Sequence, residues 1–218
     1  MNILAIDTCT EIASVTLSKS GEIYTRELSG IDKTSGYILK LCDEVFKESK
    51  SQLQEVDLIS YSKGPGAFTG VRMCLGVVQG LSLSMDIPVM GFSSLELLGF
   101  KATQALESKK IAIALDARMG EVYWATYVNK VIDNMKICSP DKVDLLDASF
   151  VGVGNGWKAY TEKLKSASNI SEIDLSINPE SSALIELSLK AINIGLKGSF
   201  KLPQPIYLRN NVAEKSLK

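Results

Sequence analysis

Two aspartates stand at the ends of two short apolar runs. Asp7 closes the run Asn2 to Ile6, and Asp116 closes residues 111–115, IAIAL. A carboxylate at the C-terminal end of a buried strand sits where open α/β sheets bind ligands. Facing each other across a cleft, the two could hold a metal ion or serve as acid and base. Thr8 and Thr10 flank Cys9 after the first aspartate and offer hydroxyls to a phosphate. Equally, Asp7 and Thr10 could close a hairpin through side-chain to backbone bonds. Asp116 and Arg118 could likewise be an ordinary surface pair. The run Gly64-Pro65-Gly66-Ala67-Phe68-Thr69-Gly70 joins a strand to a helix, and the free N–H groups of a helix start attract anions. Gly70 is followed by Val71 rather than Lys-Ser/Thr, and G-x-G-x-x-x-G is one residue off the dinucleotide spacing. A tight structural turn explains the run as well. The candidate anion or nucleotide cleft is therefore Asp7, Thr8, Thr10, Gly64, Gly66, Asp116 and Arg118.

Other chemistry is excluded by what the sequence lacks. There is no histidine among the 218 residues, which removes the commonest acid/base, the commonest metal ligand and every Ser-His or Cys-His pair. Cys9, Cys42, Cys74 and Cys138 form no CxxC pair, so no metal site is expected, and scattered single thiols fit a reducing compartment. Lys+Arg 24 against Asp+Glu 25 leaves a net charge of −1; no global basic field holds nucleic acid. The N-terminus MNILAID has no basic n-region, and no run is expected to reach a membrane span. A cytoplasmic location is expected, with no membrane contact.

The elements that must position these residues follow from periodicity. Strands are expected at Asn2 to Ile6, Ile12 to Ser18, Glu22 to Leu28, Val56 to Ser62 and Pro88 to Gly91. Helices are expected at Lys33 to Lys50, about Thr69 to Met85, and after the capping-box signature Ser93-x-x-Glu96. The plan then restarts. Residues 111–127 repeat the strand, aspartate, turn and alternating strand of residues 3–17, and Gly154-Asn155-Gly156 echoes the first glycine loop. Strands at Val131 to Cys138 and Phe150 to Val153, a helix to about Lys165 and a last helix from about Pro179 to Leu196 complete the second half. Such duplication argues for an α/β fold of two lobes with a cleft between them. Among duplicated α/β folds of this kind, with mixed sheets and flanking helices, is the actin/Hsp70-like (ribonuclease H-like) one. The lobes are expected at 1–103 and 104–218, with the extended tail 203–218 able to pack back on the first. In that fold the first turn reads roughly Asp-x-Gly-Ser/Thr; here Cys9 stands at the glycine, and its side chain is expected to crowd a phosphate.

The second helix is charge-free from Met73 to Met85, with Gly76, Gly80 and Ser84 in a small-residue stripe. A helix with no polar side must be covered on both faces, by a neighbouring helix or by another chain. The candidate interface combines it with the first helix: Ile38, Leu41, Cys42, Val45, Met73, Gly76, Val77 and Gly80.

MNILAIDTCTEIASVTL, KGPGAFTGVRMCLGVVQGLSL, IPVMGFSSLELL, DARMGEVYWATY and the closing PIYLR together resemble the TsaB (YeaZ) family from residue 1 to about 209, with GPGAFTGVR the most specific part. The resemblance implies the actin/Hsp70-like two-lobed fold and a pseudo-enzyme with no catalytic residues of its own, in the complex that attaches threonylcarbamoyl to the adenosine beside the anticodon of tRNA. It implies pairing with TsaD, docking of the ATPase TsaE on that pair, and contact with tRNA only through the complex. A second copy of the chain is the expected occupant when TsaD is absent. No tightly bound cofactor is implied, with ATP or ADP and magnesium left to the complex. Many relatives carry a histidine before the first helix, where this chain reads Ile31-Asp32-Lys33-Thr34-Ser35. The rival class is a small ATP-dependent kinase or acyltransferase of the same superfold, using Asp7 and Asp116.

Overall fold

The computed structural model describes residues 1–29, 35–106 and 110–209. The altered segment at residues 31–34 and the tail end at 210–218 therefore lie outside the described residues. β1 (Ile3–Asp7), β2 (Ile12–Lys19), β3 (Glu22–Ser29), β4 (Leu58–Ser62) and β5 (Val89–Phe92) form one sheet in the order β3-β2-β1-β4-β5. β1, β2 and β3 are antiparallel neighbours, whereas β4 pairs parallel with β1 and β5 parallel with β4. The central strands β1 and β4 are buried along their whole length, as a continuous apolar run requires when both faces are covered.

The second half repeats this plan. β6 (Lys110–Asp116), β7 (Val122–Val128), β8 (Val131–Cys138), β9 (Val151–Val153) and β10 (Ile173–Asp174) take the order β10-β9-β6-β7-β8. β6, β7 and β8 form the antiparallel meander, and β9 and β10 join in parallel. The molecule is thus the duplicated, two-lobed actin/Hsp70-like α/β fold.

The helices are α1 (Ser35–Glu48), α2 (Phe68–Met85), α3 (Ser94–Ala105), α4 (Asn155–Ala159), α5 (Thr161–Ser168) and α6 (Ser181–Asn193). Ser93 caps α3, its Oγ accepting the Glu96 N–H at 2.9 Å. The expected single helix to Lys165 is two, broken at the non-helical Tyr160.

The layers run α1/α2, first sheet, α3/α6, second sheet, α4/α5. Residues from α1, α2 and the first sheet make one core. A second core lies between the sheets and contains Leu95, Leu98, Leu184 and Leu187. Trp124 and Trp157 anchor the third, with ring centroids 6.0 Å apart. The middle layer is exchanged between halves. α3, from the first half, packs on β6 and β7, while α6 packs on β1, β2 and β4. Serines tie α6 to the first sheet: Ser181 N–H donates to Ser14 Oγ at 2.9 Å, and Ser188 Oγ lies 2.8 Å from Ser60 Oγ. A division near residue 103 thus describes the sheets but not the helices that cover them.

α2 corrects one expectation. Its 18 residues have a mean hydropathy of 1.2, long and apolar enough by length and composition to cross a membrane. Its inner face, with Val71, Cys74 and Val78, instead belongs to the core of the first lobe.

Candidate functional site

Both turns that follow the first strand of each lobe are closed by their aspartate. Asp7 Oδ1 accepts the Cys9 N–H at 2.9 Å, and Asp116 Oδ1 accepts the Arg118 N–H at 2.8 Å. Each carboxylate therefore bonds the backbone two residues on, the side-chain turn that aspartate favours.

In the first lobe this turn is sealed by the glycine run. Ala67 N–H donates to the Cys9 carbonyl at 2.9 Å, and Thr8 Oγ1 donates to the Gly70 carbonyl at 2.6 Å. The approach is so close that a Cβ on Gly66 would stand 2.1 Å from Cys9 O, and one on Gly70 2.2 Å from Thr8 O. Gly66 and Gly70 thus let the α2 start lie directly against the β1–β2 turn, which is the structural-turn reading of the run. Gly64, with φ +84°, is buried beneath it, its carbonyl accepting the Ser94 N–H at 2.9 Å. Asp7 and Thr8 are fully buried.

Cys9 departs from expectation. Its side chain lies in the core, with Sγ donating to the Ser62 carbonyl at 3.4 Å, so the sulfur does not project where a phosphate would lie. Burial, reinforced by the Asp7 carboxylate, pushes its thiol up to about 12.

A cavity of about 1250 Å³ opens between the lobes, lined by the β1–β2 turn, the start of α2, residues 115–118 and residues 206–209. Thr8, Thr10, Gly66, Asp116 and Arg118 reach its lining; Asp7 and Gly64 do not. The proposed pair of facing carboxylates is therefore corrected: Asp116 borders the cavity and Asp7 lies behind it. Asp116 is occupied by an ion pair to Arg118 Nη1 at 3.1 Å and by the Tyr160 hydroxyl at 3.4 Å, while its backbone N–H donates to Asn155 Oδ1 at 2.9 Å. No group of three potential metal-ligating side chains occurs among the described residues. The tail reaches this site too, on the first lobe where packing was expected and on the second where the sequence offered no signal. Ile206 N–H donates to the Lys63 carbonyl at 2.8 Å, and the Arg209 guanidinium donates to the Ala117 carbonyl at 3.2 Å and pairs with Glu121. The tail thereby crosses from the first lobe to the second.

The candidate interface separates into two groups. Ile38, Leu41, Cys42, Val45 and Val77 are buried in the first lobe's core and present no docking surface, a correction that follows from α1 and α2 each turning that side to the sheet. Gly76 and Gly80 are exposed, with nothing within 4 Å of where a Cβ would stand, and Met73 is half-buried. Exposed apolar side chains flank them: Phe68, Leu83 and Met85 on α2, Tyr37 and Leu39 on α1.

Known proteins resemble this chain in sequence and fold. The family model described as TsaD, tRNA N6-adenosine threonylcarbamoyltransferase, matches residues 32–217. The chain is 32% identical to the tRNA threonylcarbamoyladenosine biosynthesis protein TsaB of Escherichia coli, over 100% of this chain and 98% of that one. It is also 32% identical to the TsaB of Haemophilus influenzae, over 100% and 97%. A solved structure described as YeaZ from Pseudomonas aeruginosa superposes with a TM-score of 0.84 at 32% identity, covering 95% of this chain and 99% of that one. With that fold, that coverage and the glycine run packed on the first turn, the chain belongs to the TsaB (YeaZ) family of tRNA threonylcarbamoyladenosine biosynthesis.

Proposed function

We propose that the chain is the non-catalytic subunit that binds and activates a TsaD-type threonylcarbamoyltransferase, acting in the cytoplasm on the adenosine beside the anticodon of tRNA. The observation that carries this reading is the outer face of α2. Gly76 and Gly80 lie open on a helix with no charge from Met73 to Met85, and glycines in an exposed helix interior cost about 1 kcal/mol each relative to alanine. That cost is offset when another helix backbone packs closely against them. The sealed β1–β2 turn supports the absence of turnover by the chain alone. A kinase or acyltransferase built on Asp7 and Asp116 needs both carboxylates in the cavity, and Asp7 is buried behind it.

In this reading a TsaE-type ATPase docks on the pair, tRNA meets the chain only in the complex, and ATP or ADP with magnesium belongs to the complex. A second copy of the chain takes the α2 face when the TsaD-type subunit is absent. The test is Gly80→Leu. The site has open space for the side chain, so the circular dichroism spectrum stays that of wild type, and the melting temperature does not fall but rises slightly, because an exposed helix loses a glycine. Holding the helices apart costs ~1–3 kcal/mol of packing, which weakens association with the TsaD-type subunit by roughly 5–150-fold and lowers tRNA threonylcarbamoylation in step. A folded variant with normal pairing and full activity overturns the proposal.

A further inference from the structure

After α6 the chain wraps around the β5 edge of the first sheet and is pinned there. Val89 and Ser199 exchange two backbone bonds of 2.8 Å, and Gly198 sits so close that a Cβ would meet Leu58 Cδ1 at 2.7 Å and Pro88 Cβ at 2.9 Å. Gln79 of α2 then donates to the Pro203 carbonyl at 3.3 Å. Covering a sheet edge needs only the backbone, yet this wrap turns large apolar side chains outward. Ile194 is 80% exposed, Leu196 56%, Phe200 73% and Leu202 52%. Single exposed apolar residues are ordinary; four within nine residues are a patch. Its charge is one-sided as well. No acidic residue occurs between Glu186 and Glu214, and Lys197 and Lys201 are exposed and make no ion pair among the described residues.

The wrap also continues the open face of α2. Leu83, 65% exposed, lies one turn beyond Gln79, whose side chain holds the wrap. A single exposed stripe on this 18-residue helix, about 27 Å long and about 10 Å wide, offers about 270 Å². A standard interface takes about 800 Å² from each partner, so a subunit seated on Gly76 and Gly80 needs neighbouring surface. We infer that residues 194–202, with Leu83, form a second contact area for the subunit that docks on α2, which meets it with an apolar patch rimmed by carboxylates. This rests on the docking reading given above. A protein is favoured over nucleic acid because the aliphatic centre offers nothing to phosphates or base edges. The pinned backbone favours association, since little order is left to impose.

The test compares Phe200→Ser/Leu202→Ser and Lys197→Glu/Lys201→Glu with Gly80→Leu, each titrated against the purified TsaD-type subunit of the same organism. Parallel arms use tRNA alone and vesicles containing anionic phospholipid. Circular dichroism checks that each variant is folded. The apolar double variant is expected to bind about 10–100-fold more weakly. Charge reversal is expected to weaken binding about tenfold at low salt, with the deficit shrinking as salt rises. If Gly80→Leu loses binding while both double variants bind as wild type, the docking reading stands and the wrap inference falls. If all three bind as wild type, both fall. If charge reversal removes binding to tRNA or vesicles and leaves the subunit's affinity unchanged, the wrap serves RNA or lipid and the inference is overturned.

Discussion

The turns after β1 and β6 share a design down to single bonds and differ in depth. In each, an aspartate ends the first strand and bonds the backbone two residues on. In each, a glycine run after the next parallel strand presses on the first strand's end: Gly66 and Gly70 against Cys9 and Thr8, Gly154 and Gly156 against Ala114. In the first lobe a long helix starts at that contact and shuts the turn, leaving Asp7 and Thr8 fully buried. In the second lobe the five-residue α4 follows, and Asp116 itself stays at the cavity wall, which the first turn reaches through Thr8 and Thr10 but not through Asp7. The comparison teaches that one duplicated plan yields a sealed turn or an open one according to what packs behind it. Sealing converts a ligand-facing position into a structural one.

The largest effect should come from filling the contact itself. Gly66→Ala places a Cβ 2.1 Å from a carbonyl oxygen that cannot retreat, and a loss of about 3 kcal/mol in urea unfolding is expected. Gly154→Ala meets Ala114 O at 2.4 Å and carries φ +102°, so a comparable loss is expected; a much smaller one would break the parallel between the lobes.

The aspartates should separate more clearly. Asp7→Ala leaves the Cys9 N–H buried without its acceptor, at about 1–3 kcal/mol. Asp116→Ala releases an exposed Arg118 N–H to water and should cost under about 1 kcal/mol. Equal losses measured by thermal melts would mean that depth does not distinguish the turns.

The mildest probe is chemical. Burial pushes the thiols of Cys9 and Cys42 up to about 12 and raises that of Cys74 as well. A raised thiol stays protonated and unreactive at neutral pH, since the thiolate is the nucleophile. Cys138, on the second lobe's meander and half-buried, is raised too but accessible. Brief iodoacetamide treatment of native protein at pH 8, read by peptide mass spectrometry, should label Cys138 first. Early labelling at Cys9 would show that the first turn opens.

Much of this was legible in the sequence because it is local. Strand ends at Asp7 and Asp116, the Ser93 cap and the restart at residue 111 are written in apolar runs and turn residues. What was not legible is non-local. Periodicity gave α1 and α2 their apolar sides but could not say which side met the sheet, so Ile38 and Val45 read as surface and proved to be core. Cys9 looked obstructive because its neighbours Ser62 and Ser94, which receive it in the core, are more than fifty residues away. Tyr160, which breaks the fourth helix from the fifth, carries no glycine or proline signal. The tail's crossing to Ala117 and Glu121 rests on an arginine that looks ordinary in the chain.

The exchanged helices bear on how the molecule is made. During synthesis the first sheet can be assembled once Phe92 has left the ribosome, but the face that α6 covers stays bare until Asn193 emerges about a hundred residues later. At roughly 5–20 residues per second that wait lasts about 5–20 seconds. Through that interval Leu58 and the serines of β2 and β4 have no native cover, and α3 has no sheet to lie on until β6 and β7 emerge. A ribosome stalled near residue 103 would therefore display an unfinished lobe, sensitive to protease and attractive to chaperones, and synthesis of the remaining half of the chain would complete both lobes together.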